Sequence, residues 1–168
     1  DGFTFDETKT YIEYAYTAWE DVSSSSIEFN YISSTSRTNA YDGYNVHFWD
    51  ETNSIFTGSI IDASAVTFIT RNSDNEILDV DIAYNGAKVW YNNSGNWNDI
   101  QSVATHEIGH SIGLGHTQVT TTPVPVMTLS ADPSSNRRVL KTDDIDGVSF
   151  LYGGNITVNE TLTNTDYY

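Results

Sequence analysis

Cysteine is absent from this 168-residue chain. No disulfide framework is available, and a single domain of this length buries enough core to do without one. Basic residues are almost as scarce: 7 Lys and Arg stand against 23 Asp and Glu, giving a net charge of −16. Without a basic patch to neutralise phosphates, nucleic acid and anionic membrane surfaces are poor partners. The acids are spread along the chain, so the charge reads either as ordinary solubility or as adaptation to high salt, where screening removes self-repulsion. No apolar run approaches the roughly 20 residues of a membrane-spanning helix. The chain starts at Asp1 with no initiator methionine, basic n-region or apolar h-region, and is expected to be a processed or trimmed piece. There is one methionine, Met127, and there are only 3 prolines.

What is present belongs to a folded domain: 38% apolar residues, 13% aromatics, 11 tyrosines and 4 tryptophans. Tyr11, Ile12, Ala15, Tyr16, Ala18, Trp19 and Val22 recur at helical spacing and predict a helix over 6–22, which the serines at 23–26 stop. Alternation from Ile27 to Ile32 predicts a strand, and Tyr44–Trp49, Val66–Thr70 and Ile77–Tyr84 predict three more. Asn72-Ser73-Asp74-Asn75 suggests a hairpin between the last two. A helix is expected from an Asn98/Gln101 cap pair to Gly113, with Ile100, Val103, Ala104, Ile108 and Ile112 on its buried face. Thr117–Val126 reads as a loop, Asp132–Arg138 as polar and irregular, and Thr142 or Asp143 as the cap of a last helix. The Asp143-Asp144-Ile145-Asp146 cluster has the oxygen chemistry for calcium, but solvated charges suiting the helix dipole are the simpler account.

Three of the 4 histidines fall within His106-Glu107-Ile108-Gly109-His110-Ser111-Ile112-Gly113-Leu114-Gly115-His116. On a helix, His106 and His110 project from one face, one turn apart, so both imidazoles reach one ion. Gly113 can take the left-handed conformation that ends a helix, letting the chain bring His116 back to the same ion. Three neutral imidazoles at about 2.0–2.1 Å leave the fourth tetrahedral position of Zn2+ open to water, the arrangement of catalytic rather than structural sites. Glu107, about 100° round the helix from His106, is the candidate catalytic carboxylate that takes and returns protons. His47, alone between Val46 and Phe48, is expected to be structural.

The pattern H-E-x-x-H-x-x-G-x-x-H followed by a methionine resembles the signature of the metzincin zinc metallopeptidases. No tyrosine stands two residues after Met127, where Leu129 is found, so the closer likeness is to the matrixins, the matrix metalloproteinase-like branch. Ala18-Trp19-Glu20-Asp21-Val22 resembles the exit of that family's first helix, and Asp143 to Gly153 its C-terminal helix. Three departures stand out: little room for a strand before the first helix, no histidines for a second, structural zinc, and Thr128-Leu129 where the family usually carries Tyr-Pro.

The resemblance implies an α+β metzincin-like fold. A twisted mixed sheet with two helices (residues 1–116) would precede a small C-terminal subdomain (117–153) holding the methionine turn and the final helix, with 154–168 a tail or linker. It implies one catalytic Zn2+ on His106, His110 and His116, with Glu107 as general base and acid. Gly113 and Met127 would support the site structurally, Met127 beneath the zinc. A protein or peptide substrate, pairing with an edge strand within Ala65–Thr70, would then be hydrolysed by a monomeric endopeptidase. A propeptide upstream of this chain is implied as well. Sequons at Asn92, Asn155 and Asn159 fit a secreted, extracellular or cell-surface protein. Two other readings stay open on the ligands alone: an adhesion or binding domain keeping zinc as a staple, and a zinc amidohydrolase acting on a non-protein substrate.

Overall fold

The computed structural model describes residues 3–129 and 136–153, so the expected tail, two of the sequons and most of the Asp132–Arg138 stretch lie outside the described residues. Helix α1 spans Phe5–Glu20. A capping box starts it: Glu7 N donates to Thr4 Oγ1 at 3.2 Å, and Thr4 N donates to Glu7 Oε2 at 2.8 Å. Its buried stripe is Ala15 and Trp19, one turn apart, and Asp21 closes it just before the serine run.

Three strands form one mixed sheet: β1 (Val46–Asp50), β2 (Ala65–Arg71) and β3 (Ile77–Asn85), in the order β1-β3-β2. β1 runs parallel to β3 and β2 antiparallel to it. β3 is therefore central, and its residues from Asp79 to Asn85 are buried. The β2–β3 hairpin turns as expected at 72–75, where Asn72 Oδ1 accepts from Asp74 N and Glu76 N and Asn75 adopts φ 64°.

The expected strand at Ile27–Ile32 is corrected. That segment is unpaired: Phe29 N donates to the Glu20 carboxylate at 2.7 Å, Ile27 and Phe29 lean on the core, and Tyr31 and Ile32 are exposed. Alternating polarity reports an extended backbone with one covered face, and says nothing about whether a neighbouring strand is present.

Helix α2 (Ile100–Ser111) packs against α1 and the sheet, and α3 (Thr142–Tyr152) closes the far side through Val148. Both caps differ by one residue from expectation. Asp99, not Asn98, caps α2 by accepting from Ser102 N at 3.0 Å; the Asn98 side chain instead donates to Val89 O. Lys141 precedes α3, and its N–H donates to Asp144 Oδ2 at 2.8 Å. One core joins Trp19, Val80, Ile82, Tyr84, Trp90, Ile100, Val103, Ala104, Ile108, Ile112, Val126, Met127 and Val148. All five residues expected on the inner face of α2 lie in it.

Candidate active site

Helix α2 carries His106 and His110 one turn apart, and the chain reverses just beyond it. Leu114 N donates to Gly109 O at 3.0 Å, Gly113 N donates to His110 O at 2.9 Å, and Gly113 holds φ 98°, a conformation that favours glycine. Thr117 N then donates to Met127 O at 2.9 Å, fixing the residue after His116 to the segment that ends in Met127.

The consequence is a convergence of nitrogens. The Nε2 atoms of His106, His110 and His116 are separated by 3.1, 3.1 and 3.2 Å. Two donors about 2.05 Å from one tetrahedral ion lie about 3.3 Å apart, so the triad fits zinc. The Nδ1 atoms of His106 and His110 agree with that use. His106 Nδ1 donates to Val126 O at 2.7 Å and His110 Nδ1 to Leu114 O at 2.8 Å, which turns the Nε2 lone pairs toward the common centre. Burial holds all three imidazoles below the ordinary histidine pKa, keeping them in the neutral, ligating form. Among the described residues, these three form the group of His, Cys, Asp and Glu donors close enough to hold an ion.

Glu107 lies beside the triad, only 6% exposed. Burial pushes its carboxyl up to about 7, opposed by a hydrogen bond from Thr67. Thr67 Oγ1, on β2, is 2.6 Å from Glu107 Oε2 and 3.1 Å from Glu107 O. A carboxyl poised near neutrality and fixed in direction is suited to accept and return a proton.

Met127 is 2% exposed, and a Cβ placed on Gly109, which stands between His106 and His110 on α2, would come within 2.2 Å of its sulfur. The turn that carries Met127 is held by Asp144, whose carboxylate accepts from Val126 N at 2.8 Å and Met127 N at 3.0 Å. Asp144 is 1% exposed, which corrects the expectation of solvated charges at the start of α3 for this residue, while Asp143 and Asp146 are exposed as expected. Arg138 makes a two-pronged pair with the α2 cap, Nε to Asp99 Oδ2 at 2.8 Å and Nη2 to Asp99 Oδ1 at 2.5 Å, so the lower segment is also tied to the ligand helix. Its neighbour Arg137 reaches Val126 O and Thr128 O. His47 lies apart from the triad, between the hydroxyls of Tyr16 and Tyr84.

Gly109, Thr67 and Arg137 are not singled out by the sequence, and Asp144 stands out there only within the candidate calcium cluster, not as a support of the Met127 turn. Gly109 alone carried a signal, since a glycine inside a helical pattern lowers helix stability and calls for a packing reason.

The matrixin family profile matches residues 2–153. Metalloendoproteinase 2-MMP of Arabidopsis thaliana is 43% identical over 67 residues, 39% of this chain and 16% of that protein. Metalloendoproteinase 1 of Glycine max is 46% identical over 57 residues, 34% of this chain and 18% of that protein. Matrilysin of Rattus norvegicus is 51% identical over 53 residues, 30% and 18% of the two chains. These matches span less than a fifth of each relative's length. With a family match that runs from the start of the first helix through the end of the third, the chain belongs to the matrixins.

Proposed function

We propose that this domain is a zinc-dependent endopeptidase. The observation that carries the reading is the convergence of three Nε2 atoms within 3.2 Å of one another beside the buried Glu107 carboxylate. His106, His110 and His116 would hold the ion, which when bound supplies Lewis acidity toward a carbonyl and acidifies water. Glu107, directed by Thr67, takes the proton of the attacking water and hands it to the leaving amine. β2 is the edge of the described sheet next to α2, with β3 on its other side only, so its free backbone groups can pair with an extended peptide. Gly113 and Met127 support the ligands from the helix end and from below.

The substrate is accordingly a protein or peptide, and the domain acts as a monomer outside the cell or at its surface. The exposed Asn92 sequon supports that location, and no helix among the described residues is long and apolar enough to cross a membrane.

The test is cleavage of a denatured protein and of small amides, with and without a chelator, alongside metal analysis. Expected are chelator-sensitive cleavage of the protein, one zinc per chain, and a Glu107→Ala variant that keeps zinc but loses hydrolysis. Undiminished cleavage by that variant overturns the mechanism. Cleavage of small amides alone points to an amidohydrolase, and zinc without any cleavage to a binding domain.

A further inference from the structure

Arg137 occupies an unusual place for one of the 7 basic residues of so acidic a chain. Its Nη2 donates to Val126 O at 2.5 Å and to Thr128 O at 2.8 Å, and lies 2.6 Å from His106 Nδ1. Val126 O is also the acceptor of His106 Nδ1–H, at 2.7 Å. The three atoms therefore form a nearly equilateral triangle, in which two N–H donors crowd one carbonyl oxygen. The usual partner behind a metal-binding imidazole is an acceptor that raises the ring's basicity. Here a guanidinium, always charged, shares that acceptor and stands against the ring itself. Among the described residues its Nε is buried without a hydrogen-bond partner, and Glu107 and Asp144 act on the guanidinium through space without a direct hydrogen bond to it.

Resting on the reading of the histidines as a zinc site, we infer that Arg137 is a positioning residue acting through His106, whose positive charge weakens metal binding and leaves the bound metal more electrophilic. The effect is electrostatic. A full positive charge one imidazole away from the donor triad opposes a divalent cation in a poorly solvated site. By taking part of the Val126 carbonyl it also makes His106 a weaker donor, so less ligand charge flows to the metal. A residue that only braced the turn would have the opposite signature, since loss of a bracing group behind a ligand ordinarily costs about 10- to 100-fold in metal affinity.

The experiment is chelator competition for Zn2+ at a fixed neutral pH, using the wild-type domain and Arg137→Gln, Arg137→Leu and Arg137→Lys variants. Thermal unfolding follows the fold in each case. Gln and Leu, which remove the charge without and with loss of all donors, should bind zinc about tenfold or more tightly; Lys, which keeps the charge, should stay within about threefold of wild type. Peptide hydrolysis by the Gln variant should show a lower kcat with KM little changed. Weaker or unchanged zinc binding by folded Gln and Leu variants overturns the inference, and so does failure of both to fold, which would make Arg137 a structural anchor. A wild-type domain that binds no zinc would defeat the metal reading itself, a different outcome.

Discussion

Gly109 and Met127 are in contact because position 109 has no side chain. A Cβ there would meet the Met127 sulfur at 2.2 Å and Trp19 Cζ2 at 2.8 Å, both far inside van der Waals contact. The ligand helix thus lies directly on the thioether, with Trp19 filling the adjoining space and its Nε1 donating to Thr105 O at 2.9 Å. A Gly109→Ala change gains intrinsic helix propensity, worth about 1 kcal/mol, yet overpacks a site without room. The overpacking wins because two large buried groups must move together. The variant should be destabilised by about 1–3 kcal/mol and bind zinc more weakly, measured by urea unfolding and chelator competition. A Gly109→Ala protein as stable as the parent would show that Met127 can yield without cost.

Asp144 governs the same turn from the opposite side. Its carboxylate accepts from Val126 N, Met127 N and Lys141 N while 1% exposed, so three backbone donors depend on it. Asp144→Asn leaves one oxygen and turns an NH2 group toward donors that need an acceptor. The expected loss is about 3 kcal/mol in unfolding free energy, accompanied by weaker zinc binding because Val126 O directs His106. Asp143→Asn, at an exposed neighbouring position, should change stability by less than about 0.5 kcal/mol and serves as the control.

The convergence of the three histidines was legible in the sequence because a helix converts a spacing of four into a shared face, and a glycine two residues past the helix end converts a spacing of six into a return. His106, His110 and His116 need only those local rules to meet. Thr67 lies 40 residues from Glu107, and Asp144 lies 17 from Met127. Their pairing depends on which strand takes the sheet edge and how α3 docks, which no local pattern encodes. The segment at Ile27–Ile32 shows the same limit from the other direction, since alternation predicted the extended backbone and could not supply a partner. The one-residue shift from Asn98 to Asp99 follows from tertiary charge: the anionic cap is paired with Arg138, and an amide there could not be.

On the proposed mechanism, Thr67 gives the edge strand a part in the chemistry. Its hydroxyl fixes the Glu107 carboxylate at 2.6 Å from a position on β2 opposite Ile82. Thr67→Val keeps the shape and the β-branching, so the strand should persist. Glu107 then loses its orientation, and kcat should fall by on the order of tenfold to a hundredfold with KM little changed. Zinc content should remain that of the parent. A fall in zinc content instead would mean that Thr67 supports the ligand helix rather than the carboxylate.

His47 makes the fold sensitive to acid. Its Nε2 lies 2.6 Å from the Tyr16 hydroxyl on α1 and its Nδ1 2.9 Å from the Tyr84 hydroxyl on β3, so the ring bridges the helix and the central strand. Tyr84 in turn stacks on Trp49 at 4.4 Å, and among the described residues no carboxylate is a hydrogen-bond partner of the ring. Burial lowers the His47 pKa from 6.5 to about 4 and raises both tyrosines, so all three groups are neutral at physiological pH. An unfolded chain takes up the histidine proton below about 6.5, whereas the folded one resists until about 4. The unfolded state therefore binds more protons in that window, and stability falls as pH falls through it, by up to about 3 kcal/mol from this group. Asp50, held down to about 2 by hydrogen bonds from Ile55, Thr52 and Ser54, contributes at lower pH, whereas Glu107, pushed up to about 7 by burial, takes up a proton in the folded state first and opposes the histidine within the window. The difference between parent and His47→Gln isolates the histidine. Gln offers an acceptor and a donor to the two hydroxyls but cannot titrate, so it should be less stable than the parent at pH about 7.5 and lose less on acidification to about 4.5. Urea unfolding at a series of pH values reads both free energies, and parallel pH dependences would assign the acid sensitivity to other groups.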